Sequence, residues 1–301
     1  MRFYYNLVLF IKIKYHFFIN QMKIALCFWG LTRSLKYTLY SIKKRILSVF
    51  KNNDIEYKIF IHTYKFDSEY INPRAEEFNI ELDFEEYKLL KPDYIEIEDQ
   101  DTVKEIIDIY KYRTHPDPWN SDYNSVDNFL CAMYSKKQLG KMVENCEEEF
   151  DYIIYLRPDV KYYTYFDIKY FTLVNKYSVC TPNFHLFPKL NDRLCILSKD
   201  NLNKYYSLFD KMYEYSLQHP LHSERFQYYI ISKIYKWSIR YIPFYFNRVR
   251  ANGFELKDIE LTKKKKSTNT RKILNTPLKP IDKIIQPLFK ARKPKDGLSS
   301  L

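Results

Sequence analysis

The sequence predicts an α/β protein with a mostly parallel central sheet flanked by helices. Three observations predict it. Short apolar runs that read as buried strands recur along the chain, among them "KIALCFW", "YKIFIHTY" and "DYIIYL". Between them lie longer stretches with apolar residues at helical spacing. The first run stops at Gly30 and turns through "LTRS" into a helix, the succession expected of a strand–turn–helix unit. The chain has 301 residues, 46% hydrophobic and 18% aromatic, enough for one large domain or two small ones, which excludes wholesale disorder.

Residues 1–21 are apolar but carry Lys12, Lys14 and His16. The uncharged run from Phe3 to Ile11 is too short to span a bilayer, and no small-residue cleavage site follows it. This segment reads as an upstream extension, with a membrane-proximal anchor as the minor alternative. The fold is expected to start at Met22. "KIALCFW" is the first strand. In "SLKYTLYSIKKRILSVF", Leu35, Leu39, Ile42 and Ile46 share a helical face, with Ser34 as the expected N-cap. "YKIFIHTY" is the second strand. "PDYIEIED" is the third, entered through Pro92. "NSVDNFLCAMYSKKQLGKMVENC" is a long amphipathic helix, and "DYIIYLRPDV" a fourth strand ended by Pro158. "RLCILS" is a strand. "KDNLNKYYSLFDKMYEYS" and "SERFQYYIISKIY" are helices, and "SIRYIPFYFNRVRANG" closes the body with one or two short strands. The domain is expected to cover residues 22–257, and residues 258–301 to form a basic tail without periodicity.

Charge separates the two parts. Residues 257–301 hold 13 Lys/Arg against 4 Asp/Glu, a surplus of +9, so residues 1–256 keep only +3 of the net +12. A nearly neutral body argues against nucleic-acid binding there, while the tail can meet RNA or an anionic membrane surface. The five cysteines are widely spaced and form no CxxC, which points to reduced thiols in a cytosol-like compartment and no structural zinc. A cytoplasmic protein, with peripheral membrane association as the variant, is expected. HExxH and GxSxG are absent, which removes two common hydrolase classes.

In open parallel sheets, ligands bind beyond the carboxyl ends of the strands. After the first strand come Gly30, Thr32, Arg33 and Ser34, opening a helix whose N-terminus favours anions; Arg33 can grip a phosphate through two hydrogen bonds. An ordinary turn with a surface arginine is the alternative. After the fourth strand come Arg157 and Asp159, with Pro158 between them. Asp159 can hold a divalent cation chelated by a diphosphate, Arg157 can meet the diphosphate directly, or the two can simply pair with each other. Glu224 begins a later helix, where the dipole is expected to keep it ionised, either as a base or as a common first-turn acid. Arg248 and Arg250 share a strand face and can both address phosphate. In the loop before the long helix, Trp119 and His115 can shape an acceptor pocket, with Trp119 stacking on a sugar ring.

Taken in order, "MKIALCFWGLTRSLKYT", "YKIFIHTYKFD", "DYIIYLRPDVKY", "LHSERFQYYI" and "IPFYFNRVRANG" resemble nucleotide-sugar glycosyltransferases of GT-A type, of the kind found in large DNA viruses and some bacteria. The resemblance implies a GT-A-like fold and a nucleoside-diphosphate-sugar donor. It also implies Mn²⁺ or Mg²⁺ held by an Asp-x-Asp after the fourth strand. That place reads Arg157-Pro158-Asp159 here, so Asp159 alone takes the carry-over. It further implies Glu224 as the catalytic carboxylate and Arg33 at the nucleotide phosphates. Two alternatives stay open: a sulfotransferase-like enzyme using the Gly30–Ser34 loop, and a non-catalytic binding protein with a degenerate site and a tail that contacts RNA or membrane.

Overall fold

A computed structural model describes residues 22–67, 70–72 and 77–259. The extension at 1–21 and most of the expected tail lie outside the described residues. The described fold continues past 257 to take in Asp258, which is buried against Arg248.

β1 (Lys23–Trp29) is the centre of the architecture. Its alternate residues face opposite sides of the sheet, and both sides are covered. Ala25, Cys27 and Trp29 join one apolar core, whereas Ile24, Leu26 and Phe28 join the other. A strand buried on both faces reads as a continuous apolar run, which is why it was legible in the sequence. Parallel to β1 run β2 (Glu56–Lys65) on one side and β6 (Tyr152–Leu156) on the other. β5 (Tyr94–Asp99) adds to β2 as a parallel edge strand. Beyond β6 lie β9 (Leu194–Ser198), β8 (Ser178–Pro182) and β10 (Ser238–Ile242). The seven-stranded order is β10-β8-β9-β6-β1-β2-β5. Only the pairings of β9 with its two neighbours are antiparallel, so the sheet is mostly parallel.

The expected elements are present, with additions. β8, "SVCTP", has no sequence-level counterpart above, because its five residues are short and end at a proline. Two small antiparallel pairs were also not expected: β3 (Tyr70–Asn72) with β4 (Glu77–Ile80), and β7 (Val160–Tyr162) with β11 (Phe246–Arg248). The first helix, α1, runs as α-helix Leu35–Ile42, a π turn Lys43–Leu47 and α-helix Ser48–Asn52. α2 is Gln100–Ile107, and the long α3 is Asn124–Asn145. Short helices Leu202–Tyr206 (α4) and Met212–Ser216 (α5) precede α6, which is α-helical over Ser223–Tyr229 and continues as a π turn over Ile230–Ile234. α3 passes so close to α4 that a Cβ on Gly140 would lie 2.4 Å from Tyr206. Among the described residues no helix is long and apolar enough to cross a membrane, and the five cysteines are unpaired.

Candidate functional site

The carboxyl ends of β1, β2 and β6 open into a cavity of about 440 Å³. Trp29 and Gly30 reach it from β1, Tyr64 from β2, and Arg157 and Asp159 from the turn after β6. β11 and the residue pair beyond it deliver Arg248 and Arg250, and the β3–β4 hairpin adds Tyr70 and Asn72. The N-terminal halves of α2 and α3 form the far wall, with Lys104 and Asn128. The structure therefore brings together Gly30, Arg33, Arg157, Asp159, Arg248 and Arg250, residues from three separated stretches of sequence. Five lining side chains are cationic (Arg33, Lys104, Arg157, Arg248, Arg250), and among the described lining residues one, Asp159, is acidic.

Asp159 is buried and sits within the arginines. Its Oδ1 accepts from Arg157 Nε at 2.6 Å, and its Oδ2 accepts from Arg157 Nη2 and from Arg33 Nη2, the latter at 3.2 Å. Burial opposes the ionised form, but Arg157, then Arg33 and Arg248, more than offset it and hold the carboxyl well below the usual range. Arg33 also donates to the Tyr70 hydroxyl and stands 3.8 Å from buried Glu77. Arg248 binds Asp258 through Nε at 2.9 Å and Nη2 at 2.7 Å. Lys104 pairs with Asp101 at 2.8 Å. The carboxylates Asp159, Glu77, Asp258 and Asp101 thus answer four of the five cations. The guanidinium of Arg250 has no hydrogen-bond or ion-pair partner among the described residues. Burial, then Arg33 and Arg248, push its pKa down.

The cation that the GT-A resemblance implies does not fit these residues. Mg²⁺ and Mn²⁺ need several oxygen ligands, and carboxylates provide most of the protein ones. Both Asp159 oxygens are engaged by guanidinium groups, and the other charged liners are positive.

The turn after β1 also differs from expectation. Gly30 adopts φ +85°, a left-handed conformation that glycine allows, although a Cβ there would meet nothing within 4 Å. Its N–H is not open to a ligand: it donates to the His62 carbonyl at 3.2 Å and to Ser135 Oγ at 3.1 Å. At the start of α1, the Leu35 N–H donates to the Thr32 carbonyl, the Tyr37 N–H to the Ser34 carbonyl, and the Lys36 N–H to the Glu86 carboxylate at 3.2 Å. Buried Glu86 thereby takes the anion position at this helix N-terminus. Ser34 does not cap with its side chain; its Oγ donates to the Val249 carbonyl at 3.0 Å and ties α1 to the strand that carries the arginines. Thr32 and Ser34 are buried and do not line the cavity. Of the expected phosphate loop, Arg33 is the side chain that reaches the cavity with a charge.

Other residues after the strands are used internally. His62 Nε2 lies 2.7 Å from Glu98 and its Nδ1 2.9 Å from Ser135 Oγ, while Asp99 caps α2 by accepting from the Thr102 N–H. Trp119 and His115 lie outside the cavity lining. Trp119 stacks on His222, which also stacks on Phe187, with ring centres 4.9 and 4.8 Å apart, and which stands 3.3 Å from Glu224. His115 lies beside the Thr114 hydroxyl and its carbonyl accepts from Tyr123.

Glu224 also lies outside the lining, in a second charged cluster near the cavity arginines. Arg193 stands 3.8 Å from Glu224 and 3.7 Å from Asp192, and its own charge is felt by Arg248 and Arg157. The expectation of an ionised Glu224 is not met. Burial and the neighbouring Asp192, against the pull of Arg193, push its pKa up to about 7. The helix dipole loses to desolvation because the Glu224 side chain is buried. Asp192 is held down to about 2: burial works against it, but Arg193, Lys136 and the Ser223 hydroxyl outweigh that. Buried Lys136 donates to the Asp192 carbonyl at 3.0 Å and to Gln227 Oε1 at 3.2 Å, and burial lowers it to about 8. Trp29 links the two clusters, with Lys136 Nζ 4.4 Å and Arg157 Cζ 5.2 Å from its ring centre.

Sequence reading missed Lys136, Asp192, Arg193 and the hairpin pair Tyr70 and Glu77. Lys136 had a signal: it falls three residues from both Met133 and Leu139 on the apolar face of α3. Arg193 had another, since it immediately precedes a strand buried throughout.

No protein-family model matches the chain, and no curated protein matches it. Among solved structures, the chain is similar to mouse xyloside xylosyltransferase 1 (TM-score 0.38, 10% identity, covering 73% of this chain and 84% of that one). It is also similar to the galactosyltransferase LgtC in complex with donor and acceptor sugar analogues (TM-score 0.37, 12% identity, 70% of each chain). A third is the glycosyltransferase GlyE of Streptococcus pneumoniae TIGR4 (TM-score 0.40, 10% identity, 73% of this chain); the chain spans 45% of GlyE. These neighbours are glycosyltransferases. At such scores they add no weight to a function, which has to rest on the side chains of the cavity.

Proposed function

We propose that the chain is a glycosyltransferase that takes a sugar from a nucleoside-diphosphate-sugar donor, and that the cavity binds the donor's diphosphate. The observation that carries this reading is the unanswered charge of Arg250 beside Arg33, Arg157 and Arg248. An arginine cannot shed its proton to relieve such crowding, so the missing partner is an external anion. Guanidinium groups match phosphate oxygens in geometry as well as charge. The cavity continues past them to neutral groups such as Tyr64, Asn72 and Asn128, which leaves room for the rest of a nucleotide.

In this reading Arg33, Arg157, Arg248 and Arg250 stabilise the charge that builds on the leaving diphosphate. Asp159 is a positioning residue that fixes two of those arginines. Glu224 is the proposed base toward an acceptor hydroxyl. With a pKa near 7 it is a stronger base than an ordinary carboxylate and is still half ionised at neutrality. The sulfotransferase-like alternative is less well supported, because the Gly30 N–H of its loop and the Lys36 N–H at the start of α1 are already bonded within the protein.

The test is a panel of UDP-, GDP-, CMP- and dTDP-sugars against the full chain, read by thermal shift and by release of free nucleotide. A ligand bound only by the folded state raises the midpoint by mass action. A shift with one nucleotide class that disappears in Arg250→Gln is expected. No shift with any donor would overturn the reading.

A further inference from the structure

We infer that this site takes its nucleoside diphosphate as the metal-free anion, with arginines doing the work that a divalent cation does in metal-using transferases. The inference rests on the reading of the cavity as a donor site and goes beyond it in naming how the charge is neutralised.

The donor arithmetic of the guanidinium groups supports it. Each presents five N–H donors in a planar fork, so one edge can serve a carboxylate while another serves a phosphate. Arg157 and Arg248 use Nε and Nη2 on Asp159 and Asp258, which leaves Nη1 of each. Arg33 uses both terminal nitrogens on Tyr70 and Asp159. Arg250 keeps its whole fork. The arginine end of the cavity thus offers oriented donors, and Asp159, the one acidic residue among its described liners, is already engaged, which suits a diphosphate.

A divalent cation would reverse every one of these relations. To reach Asp159 it would have to displace Arg157 or Arg33, and the displaced guanidinium, half-buried, would then lie beside a doubly charged ion. A cation already chelated to the diphosphate would compete with Arg250 for its negative charge. Asp159 is therefore a buttress: one carboxylate at the centre of the arginines that keeps two of them in place.

The experiment is calorimetric titration of the full chain with UDP, GDP, CDP, dTDP and inorganic pyrophosphate, each in EDTA, Mg²⁺ or Mn²⁺, with Arg250→Gln in parallel. One nucleoside diphosphate is expected to bind in EDTA at least as tightly as with either cation, and to lose about tenfold or more in Arg250→Gln. Arg250 has no ion-pair partner among the described residues, so its replacement strands none of their buried carboxylates, and an unchanged unfolding midpoint checks that the variant is folded. Binding that needs a cation, or tightens about tenfold with one, overturns the inference and leaves the donor reading standing. Full affinity in Arg250→Gln also overturns it. Absence of binding by any nucleotide in any condition removes both.

Discussion

Two charged clusters sit back to back across Trp29, and they handle mismatch in opposite ways. The closed one sets Lys136 and Arg193 against Asp192 and Glu224, two cations and two carboxylates. Its tension is relieved by protons: Glu224 rises to about 7 and Lys136 falls to about 8, so both approach neutrality inside the protein. The open cluster is built from arginines, with a single carboxylate among its described liners. Arginine stays charged at any ordinary pH, so that cluster cannot titrate its way out. A self-contained group of charges adjusts its pKa values. A group that cannot adjust, and that opens to solvent, is one that waits for a ligand.

The comparison breaks most visibly at Asp159. Replacing it with alanine strands Arg157 and Arg33, so a loss of roughly 3–5 kcal/mol in urea-unfolding free energy is expected. A cost under about 1 kcal/mol would mean that the buttress is not needed. Arg250→Gln comes next and acts on the other side of the ledger. Nucleoside-diphosphate affinity should fall about tenfold or more, while stability holds or rises slightly because the variant relieves repulsion with Arg33 and Arg248.

The closed cluster is tested by pH. The folded chain holds the Glu224 proton up to about pH 7, whereas the unfolded chain releases it near 4.5. This contribution to stability is full below 4.5 and disappears as pH rises through 7, amounting to roughly 3 kcal/mol. Glu224→Gln should lack that slope in unfolding curves taken across the same range. Equal slopes in the two proteins would show that Glu224 is ordinary. In transfer assays the same residue predicts a rate that climbs with pH through about 7 and is largely lost in the glutamine variant. The smallest effect sharpens the role of the first turn. Gly30→Ala should cost about 1–2 kcal/mol through its left-handed backbone, yet leave nucleotide affinity within about twofold. A collapse of affinity there would return the phosphate to the Gly30 loop.

Much of the fold was legible because burial leaves a periodic mark. β1, β2 and β6 are apolar runs, α1 and α3 have apolar stripes, and Gly30 announces the first turn. β8, the hairpin and the antiparallel setting of β9 were not legible. Five residues ending at a proline carry little pattern, and strand direction depends on the connections rather than on the strand itself. Of the candidate site, Arg33, Arg157, Asp159, Arg248 and Arg250 were readable as charges placed after strands or on a late strand. Their mutual pairing was not. Glu86 at the start of α1 was invisible for the same reason: it lies fifty residues from Lys36 in the chain.

The sequence by itself determined the α/β class, the central strands, the long helix, and the set of arginines near the strand ends, since each follows from local periodicity and from the chemistry of single side chains. Only the tertiary structure decided which of those groups answer one another. It gave Asp159 to two arginines, Asp258 to Arg248 and Glu86 to the first helix, and among the described residues it left Arg250 unanswered. The physical reason is that an ion pair depends on distance in space and on burial, and both are set by packing between segments that the sequence keeps far apart.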